Sequence, residues 1–328
     1  MESLEIWQGT KQMADVYLGI DTSCYTTSVA VLDRLGNLLE DERIILEVKK
    51  GHCGLQQSEM VFQHTRNLPK LLKKVFNRHD MNVLGIGVSE KPRTLKDSYM
   101  PAFLVGVGIA ETISLAAKSP IIKLSHQENH LQAGLWSAKG PKNDTFLMVH
   151  ASGGTTEVHL VKLDSTRSIK EINLVGKTLD LNAGQFVDRI GVALGQDFPA
   201  GVKLEELAKK ASERIEVPVS VKKNNISFSG AETAVKKLIK QNIDQEKIAL
   251  GVECAIGETF YRVLKNIGLE LNISEVLLVG GVMSNQYIRD YISTKLKKKN
   301  IAVFVPDNIY SKDNAVGTAE YARKHLEK

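Results

Sequence analysis

Apolar and polar positions in the first third of the chain outline an antiparallel beginning. Residues 16–21 form an apolar run ending in Asp21, 22–27 are small and polar, and 28–32 return as a second apolar run, the pattern of a hairpin. Gly36-Asn37 turns the chain into a third strand reaching Leu46. Over 58–76 the period changes, and Met60, Phe62, His64, Leu68, Leu71, Leu72 and Val75 recur at approximate helical spacing. Residues 83–88 predict a buried strand, 89–101 a polar loop with two prolines, and 103–117 a helix whose small residues permit close packing. Pro120 closes that helix, 121–124 reads as a short strand, and Ser125 can cap a helix from 126 to about 136.

Residues 139–145 (Lys-Gly-Pro-Lys-Asn-Asp-Thr) concentrate chain breakers and polar groups, which marks them as the hinge between two lobes. Beyond them the opening pattern returns. Apolar 146–149, a turn at 150–155 and a strand at 156–163 carry the pair Thr155-Thr156, as the first hairpin carries Thr26-Thr27, so the chain reads as internally duplicated. The rest reads as mostly helical, at about 183–194, 203–213, 230–241 and 246–270. A strand at 276–279 leads into Gly280-Gly281 and another helix; a strand at 302–305, a loop at 306–310 and a terminal helix opened by Asp313 follow. The expected fold is α/β and two-lobed, with duplicated mixed sheets and flanking helices. Its expected parts are an extension 1–13, a first lobe 14–145 on which 311–328 packs back, and a second lobe 146–310.

Candidate chemistry sits at the turns and at one helix start. His126 and His130 lie four residues apart, on one helical face, where two imidazoles can grip one metal ion. Any packed histidine pair meets that spacing as well, so both readings stand on spacing alone. Gln127 follows His126 where a zincin peptidase places its catalytic Glu, which leaves a metallopeptidase as the third choice. Hydroxyls and backbone N–H groups of the two Ser/Thr/Gly turns suit phosphate oxygens, and two facing turns can clamp a nucleotide between lobes. Gly280-Gly281 after a strand is a further place for close backbone approach. For Asp313 the plain role is a helix cap.

Composition narrows the class. The 328 residues are 43% hydrophobic, enough for a substantial core, and contain no run of eighteen apolar residues and no signal-peptide order near the start, so a cytoplasmic protein with no membrane contact is expected. Cys24, Cys53 and Cys254 are too few and too scattered for a disulfide framework. A net charge of +5, with clusters such as Lys49-Lys50 and Lys297-Lys298-Lys299, permits contact with nucleic acid without requiring it.

As an ordered set, several stretches resemble one family. They are Gly19-Ile-Asp-Thr-Ser-Cys24 with Thr27 to Leu32; His126 with His130; Ser152-Gly-Gly-Thr-Thr-Glu157; Ala183-Gly184 with Phe186-Val-Asp188; Phe228-Ser-Gly230; Gly280 to Asn285; and Asp313-Asn-Ala315. From about residue 16 onward the chain is similar to the universal tRNA threonylcarbamoyladenosine enzymes, of the actin, sugar-kinase and Hsp70 ATPase superfamily. The resemblance implies one iron or zinc ion on His126, His130 and Asp313. It implies phosphate at Ser152, Gly153, Gly154 and Thr155, ribose at Gly184 and Asp188, and adenine between Gly281 and Asn285. The nucleotide would be threonylcarbamoyl-AMP, ATP or ADP, with Ser23, Tyr25, Thr26 and Thr27 forming a substrate turn. The implied partners are tRNA, a paralogous subunit of the same fold and a small ATPase, as in the bacterial modification complex. The implied reaction moves a threonylcarbamoyl group from its adenylate to N6 of adenosine 37 in tRNA.

This chain departs from the family pattern at several places. Tyr25 and Thr26 stand where two carboxylates are usual, residues 89–93 (Ser-Glu-Lys-Pro-Arg) replace a Gly-Pro-Gly turn, Gln185 replaces Glu, and Leu181 stands at a usual acidic position. Such changes at substrate-facing positions point to a divergent paralogue, so a non-catalytic or repurposed subunit binding adenine nucleotide and metal is the second reading.

Overall fold

The structure is a computed structural model that describes residues 13–23, 25–48 and 54–327. Residues 1–12, Cys24, Cys53 and the Lys49-Lys50 pair lie outside the described residues.

The first sheet is built from β1 (Ala14–Asp21), β2 (Thr26–Asp33), β3 (Leu38–Ile45), then α1 (Gln57–Arg78), β4 (Met81–Lys91), α2 (Phe103–Ala117) and β5 (Ile121–Ser125), with α3 (His126–Ala138) leaving it. Its strand order is β3-β2-β1-β4-β5. The antiparallel hairpins of β1, β2 and β3 are followed by parallel pairings of β4 with β1 and of β5 with β4. Leu68, Leu71 and Val75 of α1 close over Val16, Leu18, Val29, Val31, Ile86 and Val88, so the helical period read from sequence marks a core face.

The second sheet repeats that plan. Its parts are β6 (Thr145–Ala151), β7 (Thr156–Leu163), β8 (Ile169–Lys177), α4 (Ala183–Ala193), α5 (Gly201–Ala208), the small pair β9 (Ser220–Lys222) and β10 (Asn225–Ser227), α6 (Ser229–Lys240), α7 (Gln245–Glu270), β11 (Glu275–Val279), α8 (Gln286–Lys297) and β12 (Ala302–Phe304). A 3₁₀ turn at Gly281–Ser284 joins β11 to α8. The order β8-β7-β6-β11-β12 matches the first sheet strand for strand, with the same change from antiparallel to parallel. Period-two alternation gives β6 two faces. Leu147, Val149 and Ala151 enter the large core under α4 to α8, where Phe186 stacks on Phe228 with ring centres 5.5 Å apart; Phe146 and Met148 face Leu131 of α3.

The chain ends with α9 (Asn308–Ser311) and α10 (Val316–Leu326), the latter packing against β1, β4, β2 and α3. Several expectations need correction. β8 was not anticipated, because as a half-exposed strand it shows no apolar run. The strand at 83–88 continues to Lys91, since β5 pairs with it past Ser89. The helix expected at 203–213 stops at Ala208, and 306–310 holds most of the one-turn α9. Asp313 does not cap the last helix: the first turn is bonded by Asn314, whose Oδ1 accepts from Val316 N at 2.9 Å.

Candidate metal centre and nucleotide cleft

Helix α3 begins where Ser125 caps it. Ser125 Oγ accepts from Glu128 N at 3.2 Å and Glu128 Oε2 accepts from Ser125 N at 2.7 Å, a reciprocal capping box that occupies the Glu128 carboxylate. His126 and His130 then project from one face and are buried. Asp313 reaches them because α10 lies in backbone contact with α3: a Cβ on Gly317 would strike the carbonyl of Asn129, so only glycine allows this approach. Asn129 Nδ2 donates to Asn314 O at 2.6 Å and fixes the loop.

The resulting geometry is compact. Asp313 Oδ1 lies 3.5 Å from His126 Nε2 and 3.3 Å from His130 Nε2, and the two Nε2 atoms are 3.1 Å apart. One donor atom from each residue falls within 4.8 Å of the others. Sequence reasoning missed two neighbours. Asp21, at the end of β1, has Oδ1 3.4 Å from His126 Nδ1, while its Oδ2 accepts from Ser23 Oγ at 2.5 Å. His150 lies on the β6 face that carries Phe146 and Met148 toward α3, its ring centre 4.4 Å from that of His130. The alternation that placed Met148 against α3 also placed His150 there, but 150 had been read as part of the turn.

Buried Asp21 Oδ1, His126 Nδ1, His130 Nδ1 and both His150 ring nitrogens have no hydrogen-bond partner. Buried polar atoms are rarely left this way, and a cation with its retained waters would satisfy such a set, so these residues fit a metal ion. Burial opposes a charged His126, yet the Asp21 carboxylate and then Asp313 push it up to about 10. Burial opposes the ionised form of Asp313 too, but hydrogen bonds from His126 and His130 hold it well below the carboxylate range. His130 and His150 are pushed down, chiefly by burial and next by a neighbouring imidazole. Gln127 donates to His159 Nε2 at 2.8 Å and Glu157 Oε2 at 3.3 Å, which leaves no carboxylate at the zincin base position.

Beside this centre lies a cavity of about 430 Å³. Gly153, Gly184, Asp188, Gly281 and Asn285, all expected at a nucleotide, line it together with Glu205, Glu253 and Lys312, which sequence reasoning did not single out. The Ser152 turn is closed by Ser152 Oγ accepting from Gly154 N at 3.3 Å and Thr155 N at 3.1 Å. A Cβ on Gly184 would strike the backbone of Ser152 and Gly153, so glycine lets the start of α4 press onto the turn. Cβ atoms on Gly153 or Gly281 would point into open space. Asp188 Oδ1 accepts from Ala200 N at 2.8 Å, and burial raises its carboxyl above the usual range. Asn285 caps α8 through Oδ1, 2.9 Å from Ile288 N, and donates through Nδ2 to Glu253 Oε1 at 2.5 Å.

None of Ser23, Tyr25, Thr26 and Thr27, the expected substrate turn, lines the cavity, although Ile45 opposite Thr26 does. Ser23 supports Asp21, but Thr27 turns into the core, with Oγ1 2.8 Å from His64 Nδ1, and Thr26 is held in the ladder opposite Ile45. Tyr25 packs edge-on against Phe198, ring centres 6.4 Å apart. Period two in β2 explains the correction for Thr27, since its side chain must follow Val29 into the α1 core. Among the departures, Gln185 completes a capping box with Asn182, and Leu181 is buried. Arg93, in the loop after β4, pairs with Glu157 of the second sheet at 2.8 Å.

Two sheets of equal strand order, each passing from antiparallel to parallel pairing and flanked by helices, make the actin, sugar-kinase and Hsp70 ATPase fold. Solved structures share it: the activator of 2-hydroxyisocaproyl-CoA dehydratase from Clostridium difficile with bound ADPNP (TM-score 0.57, 17% identity, 95% of this chain and 96% of that one) and a ROK family glucokinase from Streptomyces griseus (TM-score 0.56, 10% identity, 94% and 99%). The chain belongs to the tRNA N6-adenosine threonylcarbamoyltransferase family, whose model matches residues 49–320. The enzyme of that name from Thermosipho africanus is 30% identical over 311 residues, covering 92% of this chain and 91% of its own.

Proposed function

We propose that the chain transfers a threonylcarbamoyl group from threonylcarbamoyl-adenylate to N6 of adenosine 37 in tRNA. The observation that carries this reading is one loop: Lys312 lines the cavity and Asp313, its neighbour, lies against both histidines. Adenylate held in the cavity would therefore have its acyl-phosphate end beside the metal centre. His126, His130 and Asp313 would hold one iron or zinc ion, with His150 facing them; when bound, the ion would supply a Lewis acid for the carbamoyl carbonyl. The turn 152–155 and the Lys312 ammonium suit the phosphate, and Asp188 suits the ribose. The N6 amine attacks the carbamoyl carbon, the bond to the phosphate oxygen breaks, AMP leaves and N6 loses a proton. No covalent enzyme intermediate is needed.

The lobe boundary at 139–145 belongs to the same reading, as do a cytoplasmic location and a paralogous subunit and small ATPase as partners. Among the described residues no helix is long and apolar enough to cross a membrane. Phe62 of α1 and Leu104 and Leu115 of α2 are more than half exposed and offer a protein partner apolar contacts.

A second reading, a repurposed subunit that binds nucleotide and metal without transfer, draws on Tyr25, Thr26 and the Arg93–Glu157 pair. Expression in a strain lacking its own enzyme, read by mass spectrometry of tRNA nucleosides, separates the two. Restored modified nucleoside supports transfer. Its absence, with gain on combining Tyr25→Asp and Thr26→Glu, supports the repurposed subunit.

A further inference from the structure

Glu253 of α7 is a buried carboxyl on the wall of the cleft that the transfer reaction does not use. It is 2% exposed and has one hydrogen bond, from Asn285 Nδ2 to Oε1. Among the described residues no group hydrogen-bonds its second oxygen. Glu205, the other glutamate lining the cavity, is already engaged, by Lys209 at 2.9 Å and by Gln286 N at 3.4 Å. The cavity that Glu253 lines also carries Val187, Val202, Leu204 and Ile288, apolar side chains suited to the plane of a base, and the turn at Gly153.

We infer that Glu253 reads the hydrogen-bonding edge of the base and sets adenine over guanine in this cleft. The inference rests on the nucleotide reading of the cavity. Adenine offers an acceptor at N1 beside a donor at N6, whereas guanine offers donors at N1 and N2. A neutral carboxyl matches adenine: Oε1 has a second lone pair for the N6 amine beside the Asn285 bond, and the Oε2 hydroxyl donates to N1. An ionised carboxylate matches guanine, since both its oxygens accept. The hydrogen bond from Asn285 favours ionisation of Glu253, Glu205 of α5 opposes it, and Lys209, just past the end of α5, favours it. Burial is the largest influence and pushes Glu253 up to about 7, so the neutral form is present near neutrality.

The test is calorimetric titration of the full chain with ADP and with GDP, at about pH 6 and about pH 8.5, on either side of that value. The wild type is expected to favour ADP roughly tenfold or more at the lower pH, with the ratio falling several-fold at the higher one. Glu253→Gln, whose amide keeps a donor and an acceptor in the same frame, should hold the ADP preference at both pH values. Glu253→Leu should bind both nucleotides with little preference. The inference is overturned if the leucine variant keeps the wild-type ratio, or if the glutamine variant keeps the wild-type pH slope. Binding of neither nucleotide by the wild type overturns the reading of the cavity and this inference with it; binding of both, with selectivity indifferent to residue 253, overturns this inference alone.

Discussion

Replacing Asp21 by Asn tests whether the metal centre is organised as its geometry implies. The carboxylate lies 3.4 Å from His126 Nδ1 and is fully buried. At that distance, with an effective dielectric near 20, a unit charge on the ring gains about 5 kcal/mol before desolvation is counted. Two effects then compete in the variant. The proton that Asp21 helps to hold on His126, pushed up to about 10, must leave before a metal can bind, and at neutral pH that costs about 4 kcal/mol, part of which the variant would recover. A divalent ion, however, carries twice the proton's charge and loses correspondingly more when the carboxylate goes. The metal term wins, and a roughly 10- to 100-fold loss of affinity is expected, the range for supporting carboxylates behind ligating histidines. Asn retains an acceptor for Ser23 Oγ, so the turn keeps its hydrogen bond. Chelator competition with zinc measures the affinity, and the melting temperature of the metal-free protein controls for folding. Unchanged affinity would show that Asp21 does not act on the ion. A loss as complete as that of His130→Ala would make Asp21 a direct ligand and refute the assignment of three donors.

Two further outcomes follow from the cleft. Gly153→Val should abolish the rise in melting temperature caused by adenine nucleotide while leaving the free protein folded, because the added Cβ meets no protein atom and fills the space assigned to phosphate; an unchanged shift would reject that assignment. For Glu253, a folded value of about 7 exceeds the ordinary glutamate value, so the native state binds the extra proton and stability falls as pH rises from about 4.5 to about 7, by up to about 3 kcal/mol. Glu253→Gln should remove that slope in urea denaturation across the window, and equal slopes in the two proteins would reject the shift.

How far the sequence could be read depended on whether each signal was local. The duplicated hairpins were legible because a strand, a turn and a return strand leave a contiguous mark, and the second sheet repeats the first strand for strand. The α3 capping box was legible in part through Ser125, a local capping signal. β8 was not, because a half-exposed strand alternates too weakly to stand out. Thr27 was misread because Thr26 and Thr27 were treated as one turn, when strand period sends adjacent side chains to opposite faces.

The same argument explains why the centre was only half visible. His126 and His130 announce each other at one helical turn, but Asp21 and His150 each stand alone in sequence, and only the packing of α3 against both sheets brings them to its face. Asp313 was reached by resemblance; taken locally it had read as a cap. The physical cause of its placement lies four residues further on, where Gly317 lets α10 touch the backbone of α3 at Asn129. A side chain at 317 would push α10 away and carry Asp313 with it, so the residue that sets the geometry of the centre need have no chemistry of its own. The cleft follows that logic as well: Gly184 offers no functional group, yet its missing Cβ lets α4 close onto the Ser152 turn, and the cavity gathers residues of α4, α5, α7 and α8 with those of the turns at Gly153 and Gly281.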